Sequence, residues 1–307
     1  MLFQDIRDFQ ILFLSIFLIL GISTRDWTLR PELIGVAIAT CIFTQWFLSS
    51  VIRTSHKPSQ ESPSPKRVCE GKSVRENRYN HSVKILNDKQ QKINLRGALI
   101  TSLGLSLLLR ADQWTTMAVA AFSAITSKFV FKVGDKHFFN PANFGIISAI
   151  VLTPDAWVSP GQWGEDWWYG LLFAGTGGMI LQKVGRWDTT AAFLSVYSTS
   201  EAIRNLWLGL TWDVYWHRLM SGSLLLFALF MVTDPRSIPN ARIGRLVWAA
   251  CIAILTFILR NNFFIPTAVF WALFALAPLT PLVDLLWAAP HFSWEGHKEQ
   301  GAGCRGK

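Results

Sequence analysis

Charged residues are scarce in this chain. Asp, Glu, Lys and Arg make up 16% of its 307 residues and hydrophobic residues make up 51%, whereas a typical soluble domain has about 25% charged residues. Runs with almost no charge cover residues 9–22, 33–52, 114–130 and 246–259. Because such segments are stable in a lipid bilayer, the sequence predicts an all-α polytopic membrane protein, with the bilayer as its first partner.

Groupings of cysteine and histidine are also missing. The four cysteines lie far apart, without a CxxC or Cys/His spacing, so we expect neither a zinc site nor a disulfide framework. The sequence shows no histidine pair, catalytic triad, phosphate-binding loop or carboxylate pair. It therefore nominates no catalytic residue and no metal ligand.

A cleavable signal sequence is not predicted either. Asp5, Arg7 and Asp8 precede an apolar run that lacks a small-residue cleavage site, so we expect the first span to remain as an anchor. The net charge of +9 does not indicate nucleic-acid binding, because the basic residues lie in loops between apolar runs. Most of these basic loops fall on one side of the predicted topology, which predicts that both termini are cytoplasmic.

Ten apolar segments are candidate membrane spans, and several are shorter than the ideal length of about 20 residues. Between the second and third lies a basic stretch rich in Ser and Pro, residues 53–96, which we interpret as a flexible cytoplasmic loop. Residues 288–307 are interpreted as a cytoplasmic tail. The candidate spans are residues 9–24, 33–52, 97–109, 113–131, 138–153, 167–183, 189–207, 217–233, 244–260 and 264–287.

An internal repeat organises these spans. The stretch Phe-Phe-Asn-Pro-Ala at residues 138–142 recurs in degraded form at 262–268, and spans three to five align with spans eight to ten. We predict one membrane domain, residues 1–307, made of two five-helix repeats at about 9–153 and 167–287. Five spans are an odd number, so the repeats are inverted, and inverted repeats place binding sites where short or interrupted helices meet.

The third and eighth spans are the short ones. Residues 97–109 and 219–232 each cover about 20 Å of a hydrocarbon core of about 30 Å. The first ends in Arg110 and Asp112, and the second ends in Asp234. We expect both polar ends to reach one central cavity from opposite faces.

Several polar residues near these breaks are candidates for ligand binding, and each has a structural alternative. Asn140 and Asn143 can orient a ligand at a helix N-terminus or simply cap that helix. Asp234 can bind a ligand, pair with Arg236 or Arg245, or form a turn at a helix end.

Small and charged side chains leave further alternatives open. Gly177 and Gly178 leave room for a flat ring system or for close helix packing. Glu201 and Arg204 lie one helical turn apart, which indicates an ion pair or a water-lined path. A lysine at every fourth position is interpreted as a set of side chains that reach the cytoplasmic surface: Lys128, Lys132 and Lys136.

Several motifs follow one another between residues 95 and 287. They are Phe139-Asn140-Pro141-Ala142, residues 174–178 with Gln182-Lys183 and Arg186-Trp187, Leu219-Met220-Ser221-Gly222-Ser223, residues 230–235 with Gly244-Arg245, and Pro281-Leu282-Val283-Asp284. Their order and spacing resemble the NqrB/RnfD family of membrane subunits, which belong to the sodium-pumping NADH:quinone reductase and to the Rnf ferredoxin:NAD complex.

The resemblance implies a subunit for electron transport coupled to transmembrane transport, in a bacterial-type cell membrane and beside other membrane subunits. It would be at most a non-catalytic or electron-carrying subunit of a membrane oxidoreductase. Family members carry FMN on a threonine of a Ser-x-Ala-Thr type motif between spans five and six. Residues 153–167 contain no such motif, so we expect FMN or riboflavin to be held non-covalently or to be lost, and covalent FMN is not expected.

Ser221 and Gly222 match a separate serine-glycine motif of the family. They complete the candidate cofactor-binding set, which is Asn140, Asn143, Gly177, Gly178, Ser221, Gly222 and Asp234. Two other functional classes stay open: a stand-alone transporter of a small molecule or ion that uses the same inverted-repeat cavity, and a structural subunit without a ligand.

Overall fold

A computed structural model describes residues 5–25, 30–55, 95–134, 136–161, 167–290 and 292. Most of the predicted loop 53–96 and of the tail 288–307 lies outside the described residues. The described part is mainly helical, with two pairs of two-residue strands. Its elements are α1 (Ile6–Leu20, extended by a π-helical turn, Gly21–Arg25), α2 (Pro31–Ser55), α3 (Leu95–Leu108), β1 (Leu109–Arg110), α4 (Trp114–Val130), β2 (Lys132–Val133), β3 (Lys136–His137), α5 (Pro141–Leu152), β4 (Trp157–Val158), α6 (Trp167–Val184), α7 (Trp187–Trp207), α8 (Trp212–Leu219), α9 (Gly222–Leu226, extended by a π-helical turn, Phe227–Met231), α10 (Arg242–Asn261), α11 (Ala268–Leu276, followed by a 3₁₀ turn, Ala277–Leu279) and α12 (Thr280–Leu286).

Four helical segments of the described chain are long and apolar enough to cross a membrane: Ile6–Ser23, Pro31–Ile52, Arg242–Asn261 and Ala268–Leu286. Shorter apolar helices cover Leu95–Leu108, Pro141–Leu152 and Gly222–Met231. All ten predicted spans fall on helical segments, and the third and eighth are short, as predicted. An all-α membrane protein is the fold class that these helices support.

Small residues allow the helices of the first half to pack closely. A Cβ atom on Gly145 of α5 would lie 2.5 Å from the Ala120 carbonyl oxygen and 2.8 Å from the Ala124 Cβ atom, both in α4. Glycine and alanine let two helix backbones approach in this way, which compensates for the lack of a hydrophobic driving force between helices in lipid. The backbones of α4 and α5 are therefore in close contact at Gly145.

The Asp155 carboxylate, in the loop after α5, forms hydrogen bonds with the residues at the start of α4. Asp155 accepts hydrogen bonds from the Thr116 hydroxyl (2.6 Å) and from the backbone N–H groups of Gln113 (2.9 Å) and Asp112 (3.0 Å). The carboxylate therefore ties the two residues that precede α4, and Thr116 of its first turn, to the loop after α5. The Thr116 hydrogen bond lowers the pKa of Asp155, and the two backbone N–H groups add to this effect.

The two interrupted helices meet the same extended segment, residues 157–161. In the first half, β1 follows α3 directly and pairs antiparallel with β4, and Ser159 donates its N–H to the Leu108 carbonyl oxygen (3.0 Å). In the second half, Gly222 donates its N–H to the Gly161 carbonyl oxygen (3.0 Å). Non-helical backbone at membrane depth needs protein partners of this kind.

The predicted eighth span, residues 217–233, is interrupted where the sequence suggested one apolar segment. Helix α8 ends at Leu219, and α9 begins at Gly222. The break arises because the Ser221 hydroxyl donates to the Pro160 carbonyl oxygen (2.7 Å), and the Ser223 N–H donates to the same oxygen (3.2 Å). These backbone and side-chain bonds to another segment replace the helical ones.

Candidate functional site

A cavity of about 140 Å³ lies between α1, α3, α6 and the turn that follows α9. We call it the central cavity. At about 10–15 Å³ for one water-sized sphere, it has room for several waters or for part of a small ligand. Residues of both short helices line it, including Gly97, Gly104, Leu226 and Leu229. The predicted position of a site between the third and eighth spans therefore coincides with a real cavity.

Only one of the two expected polar ends reaches this cavity. Asp234 lines it, together with Thr233 and Arg236. At the far end of α3, Arg110 is buried and donates instead to the Ser106 (2.9 Å) and Leu109 carbonyl oxygens. The Asp112 carbonyl oxygen accepts from the Arg30 guanidinium (2.8 Å). The expectation of two polar ends facing one cavity was wrong for the first half, because neither Arg110 nor Asp112 lines the cavity.

Lys128 reaches the central cavity from α4. Its Nζ atom donates to the Gly97 carbonyl oxygen (3.0 Å) and to the Thr101 hydroxyl (2.9 Å). The hydroxyl in turn donates to the same Gly97 oxygen (2.8 Å). The interpretation of Lys128 as a charge that reaches the cytoplasmic surface was wrong, because these two acceptors on α3 hold its ammonium group against the cavity wall.

Asn140 caps α5 and also lines the cavity. Its side-chain oxygen accepts the Asn143 N–H (3.0 Å), and its amide nitrogen donates to the Met231 carbonyl oxygen (3.3 Å). The Asn143 amide points elsewhere, since its nitrogen donates to the Phe270 carbonyl oxygen of α11 (3.1 Å). Asn143 is fully buried, and its Oδ1 atom has no hydrogen-bond partner in the described structure. Capping is confirmed for Asn140, and Asn143 joins α5 to α11.

Asp234 forms a turn, as one of its alternatives predicted. Its Oδ1 atom accepts the Arg236 N–H (3.2 Å). Burial raises the pKa of this carboxyl, although the Arg236 N–H and the nearby cations act in the opposite direction. Arg245, the other predicted partner, instead pairs with Asp188 at the start of α7 (2.7 Å). The predicted Asp234–Arg245 pair was wrong because Asp188 is the acid closest to Arg245.

His137 adds no charge to the cavity lining. It is buried, and its Nδ1 atom lies 3.4 Å from the Arg236 carbonyl oxygen. Burial, together with the cations Arg236, Lys128, Lys132 and Lys136, lowers its pKa to about 3. The imidazole is therefore neutral at physiological pH, and its surroundings are positively charged.

The candidate glycines differ from each other. A Cβ atom on Gly177 would lie 2.7 Å from the Leu229 Cδ1 atom, so this glycine serves close packing of α6 on the turn after α9. A Cβ atom on Gly178 would meet nothing within 4 Å. Ser221 and Gly222 bond to residues 160 and 161 and do not line the cavity. The seven candidate residues therefore do not converge on one flavin cradle.

A separate polar cluster surrounds Glu201 of the seventh span. Glu201 of α7 accepts hydrogen bonds from Arg218 of α8 (2.9 Å) and from the Asn261 amide of α10 (2.9 Å). Arg218 also donates to the Asn261 side-chain oxygen (2.6 Å). The predicted Glu201–Arg204 pair was wrong, because α8 folds back and brings Arg218 to Glu201.

Sequence reasoning missed the cationic character of the cavity. Lys128 and Arg236 line it together, although they lie 108 positions apart in the sequence. The regular spacing of the lysines gave no indication of which one faces inward. Among the described residues, no group of three or more His, Cys, Asp or Glu side chains is placed to hold a metal ion.

Similarity to known proteins agrees with this architecture. Residues 156–293 match the model of the NQR2, RnfD, RnfE family. The chain is 25% identical over 267 aligned residues to the D subunit of the ion-translocating oxidoreductase complex of Alcanivorax borkumensis, which covers 67% of this chain and 77% of that protein. The D subunits of the same complex from Halorhodospira halophila and Stutzerimonas stutzeri are 30% and 44% identical over 121 and 66 residues. Those two matches cover 37% and 22% of this chain, and 32% and 19% of the relatives.

The family match contains the break before α9, the Asp234 turn and helices α10 to α12. Of the matched elements, α6, α9 and the Asp234 turn line the central cavity. The motifs at residues 219–223, 230–235 and 281–284 also lie within the match. The apolar helices of the match, together with those of the first half, place the chain in a membrane. This chain is an integral membrane protein, and its residues 156–293 are similar to the NQR2, RnfD, RnfE family.

Proposed function

We propose that this chain is a membrane subunit for electron transport coupled to transmembrane transport, in a complex of Rnf type. The observation that carries the proposal is the similarity to curated D subunits of ion-translocating oxidoreductase complexes, one of which is matched over 77% of its length. Because those relatives are named as subunits of a complex, we expect this chain to work beside other membrane subunits.

The proposal includes ten spans in two inverted repeats. In support, α3 and α9 are both short, both border the central cavity and both bond to residues 157–161. The helices that follow the two Phe-Phe motifs, α5 and α11, pack together through the bond between Asn143 and Phe270. An internal pairing of equivalent helices is the arrangement that inverted repeats produce.

The proposed orientation places the polar end of the cavity, and both termini, in the cytoplasm. The basic residues near that end support it, because an excess of Lys and Arg marks cytoplasmic loops. They include Arg96, Lys136, Arg236 and Arg242. The orientation is tested with single cysteines introduced at positions 236 and 208. Their labelling by an impermeant thiol reagent is compared between inverted and right-side-out vesicles. Labelling of position 236 from outside intact cells would contradict this orientation.

Flavin remains part of the proposal, as FMN or riboflavin held non-covalently or lost. Flavin would supply one- or two-electron transfer, and the described residues offer it two cavity side chains, Asn140 and Asp234. The test is the absorption spectrum of the supernatant after acid precipitation of purified protein. Released flavin supports an electron-carrying subunit. Colourless protein that also fails to co-purify with other membrane subunits overturns the proposal.

The alternative, a stand-alone transporter of a small molecule or ion, would use the same cavity. The similarity to curated relatives does not favour it, since those proteins are named as subunits of an oxidoreductase complex. Purification under mild detergent separates the two: a transporter runs alone, whereas a complex subunit brings partner chains with it.

A further inference from the structure

Two cations face the central cavity without forming an ion pair in the part of the chain that the structure describes. Lys128 Nζ bonds only to neutral oxygens, those of Gly97 and Thr101. Arg236 is half-buried and lines the cavity, and its backbone N–H and carbonyl oxygen bond to Asp234 and His137. Elsewhere in the described chain, buried or half-buried cations such as Lys136, Arg218 and Arg245 have acidic partners.

A charge in a low-dielectric site is costly unless a counter-charge or hydrogen bonds compensate it. Asp234 is the one acidic side chain among the described residues of the lining, and its carboxylate accepts the Arg236 N–H. Arg7, a third cation of the lining, is already paired with Asp5. The lining therefore has room for one more negative charge near Lys128 and Arg236.

Helix orientation adds to the positive potential at this end. The N-terminal turns of α3 and α5 border the cavity, at Gly97 and Pro141. The positive ends of both helix dipoles therefore border the cavity, and they favour an anion. The same end is fixed in place by Arg96 of α3, which pairs with Asp8 of α1 (2.8 Å).

The opposite end of the cavity is apolar. Along α1, α3 and α6, the lining changes from Arg7, Gly97 and Val184 to Leu14, Leu108 and Ile180. Gly97 and Leu108 are separated by 11 helical residues, which is about 16 Å at 1.5 Å per residue. Further apolar side chains close this end: Leu107, Leu226, Leu229 and Phe230.

We propose that the central cavity binds an amphiphilic anion, with its carboxylate or phosphate between Lys128 and Arg236 and its hydrocarbon body along α3 and the turn after α9. Such a ligand would complete the charge balance of the polar end and fill the apolar end. The shared chemistry fits both a soluble organic acid and the headgroup and chain of an anionic lipid. The site exists whether or not the chain works in electron transport, so it stands independently of the proposed function.

The experiment uses the full-length protein in phosphatidylcholine nanodiscs, with decanoate as the probe and isothermal titration calorimetry as the readout. Decanol, which has the same chain without charge, and decyltrimethylammonium, which has the opposite charge, are the matched ligands. We expect saturable binding of decanoate, at least tenfold tighter than that of either matched ligand. Equal binding of all three would show that only the apolar end takes part and would overturn the proposal.

Substitution of Lys128 and Arg236 tests whether these two side chains bind the anionic group. Lys128→Gln and Arg236→Gln are each expected to weaken decanoate binding about tenfold, which corresponds to about 1.4 kcal/mol. Lys132→Gln is the control, because Lys132 is exposed and does not line the cavity. The thermal unfolding midpoint of each ligand-free variant shows whether it is folded. Folded Lys128→Gln and Arg236→Gln proteins that bind decanoate as the native protein does would contradict the assignment.

A lipid arm distinguishes the two sources of the anion. Replacing part of the phosphatidylcholine with phosphatidylglycerol raises the apparent Kd for decanoate if an anionic lipid occupies the cavity. An unchanged Kd assigns the site to a soluble acid. Flavin release and partner co-purification, which test the proposed function, are measured separately, so either idea can fail alone.

Discussion

Lys136 and Asp284 form an ion pair of 2.6 Å that joins the segment before α5 to α12, the last helix. The Lys136 ammonium also donates to the Ile238 carbonyl oxygen, and the Asp284 carboxylate accepts the Asn240 N–H (2.7 Å). The pair therefore holds together the Phe-Phe-Asn-Pro motif of the first half and the Pro-Leu-Val-Asp motif of the second. Lys136 does not simply extend to the cytoplasmic surface, as its spacing suggested.

Removal of one partner of this pair should destabilise the protein. Lys136→Met is expected to lower the free energy of unfolding by about 3 kcal/mol, because it leaves the largely buried Asp284 carboxylate without its cation. Thermal unfolding in detergent, followed by circular dichroism, measures the change. The control is Lys132→Met, whose side chain is exposed. The double variant Lys136→Met/Asp284→Leu should recover part of the loss, and equal midpoints for the two single variants would refute the role of the pair.

Gly177 and Gly178 offer a matched test of helix packing. Gly177→Ala is expected to cost about 1–3 kcal/mol, because its Cβ atom would overlap Leu229. Gly178→Ala has open space at its Cβ position and should be neutral or stabilising by up to about 1 kcal/mol, since alanine favours helix. Unfolding midpoints of both variants under the same conditions decide the matter. A neutral Gly177→Ala would mean that Leu229 moves aside freely.

Glu201 should matter more than its neighbour Arg204. Glu201→Gln removes the charge that pairs with Arg218 in a buried site, so we expect a loss of about 3 kcal/mol in unfolding free energy. Arg204→Gln should change the free energy of unfolding by less than about 0.5 kcal/mol, as most substitutions outside a buried pair do. If the two variants lost equal stability, pairing along α7 would be restored as the better explanation.

The Asp155 carboxylate should make the free energy of unfolding depend on pH. Its pKa is lowered in the folded protein, so the carboxylate stabilises the fold above its ordinary pKa and loses this effect as the pH falls through the folded value. Asp155→Asn should therefore cost about 1 kcal/mol at pH 7, the usual net value of a hydrogen bond. The difference between variant and native midpoints should shrink as the pH falls from 6 to 3 (roughly the carboxyl titration range). Glu32→Gln, at an exposed side chain, is the control, and a difference that is constant with pH would contradict a role for the Asp155 charge.

The sequence was sufficient for the fold class and for the position of the cavity. Apolar runs and the Asn140-Pro141 start of α5 depend on local chemistry, which a sequence displays directly. Short spans at 97–109 and 219–232 located the cavity for the same reason, because length alone reveals a helix that cannot cross a bilayer.

The partners of charged residues were harder to predict. Glu201 and Arg204 are close along α7, yet Arg218 is closer in space because α8 reverses direction after Trp207. Lys128 and Lys132 follow the same four-residue spacing, yet α4 ends at Val130 and Lys132 lies in β2, so only Lys128 bonds to α3. Such choices depend on the packing of several helices at once, which no local pattern contains.

The extended segment 157–161 has a mechanical consequence. Its backbone is bonded at Ser159 to the end of α3 and at Pro160 and Gly161 to the start of α9. Neither short helix can slide along its axis without stretching bonds to the same five residues. The two short helices should therefore move along their axes together. The width of the central cavity should then change with this one shared movement and not with two independent ones.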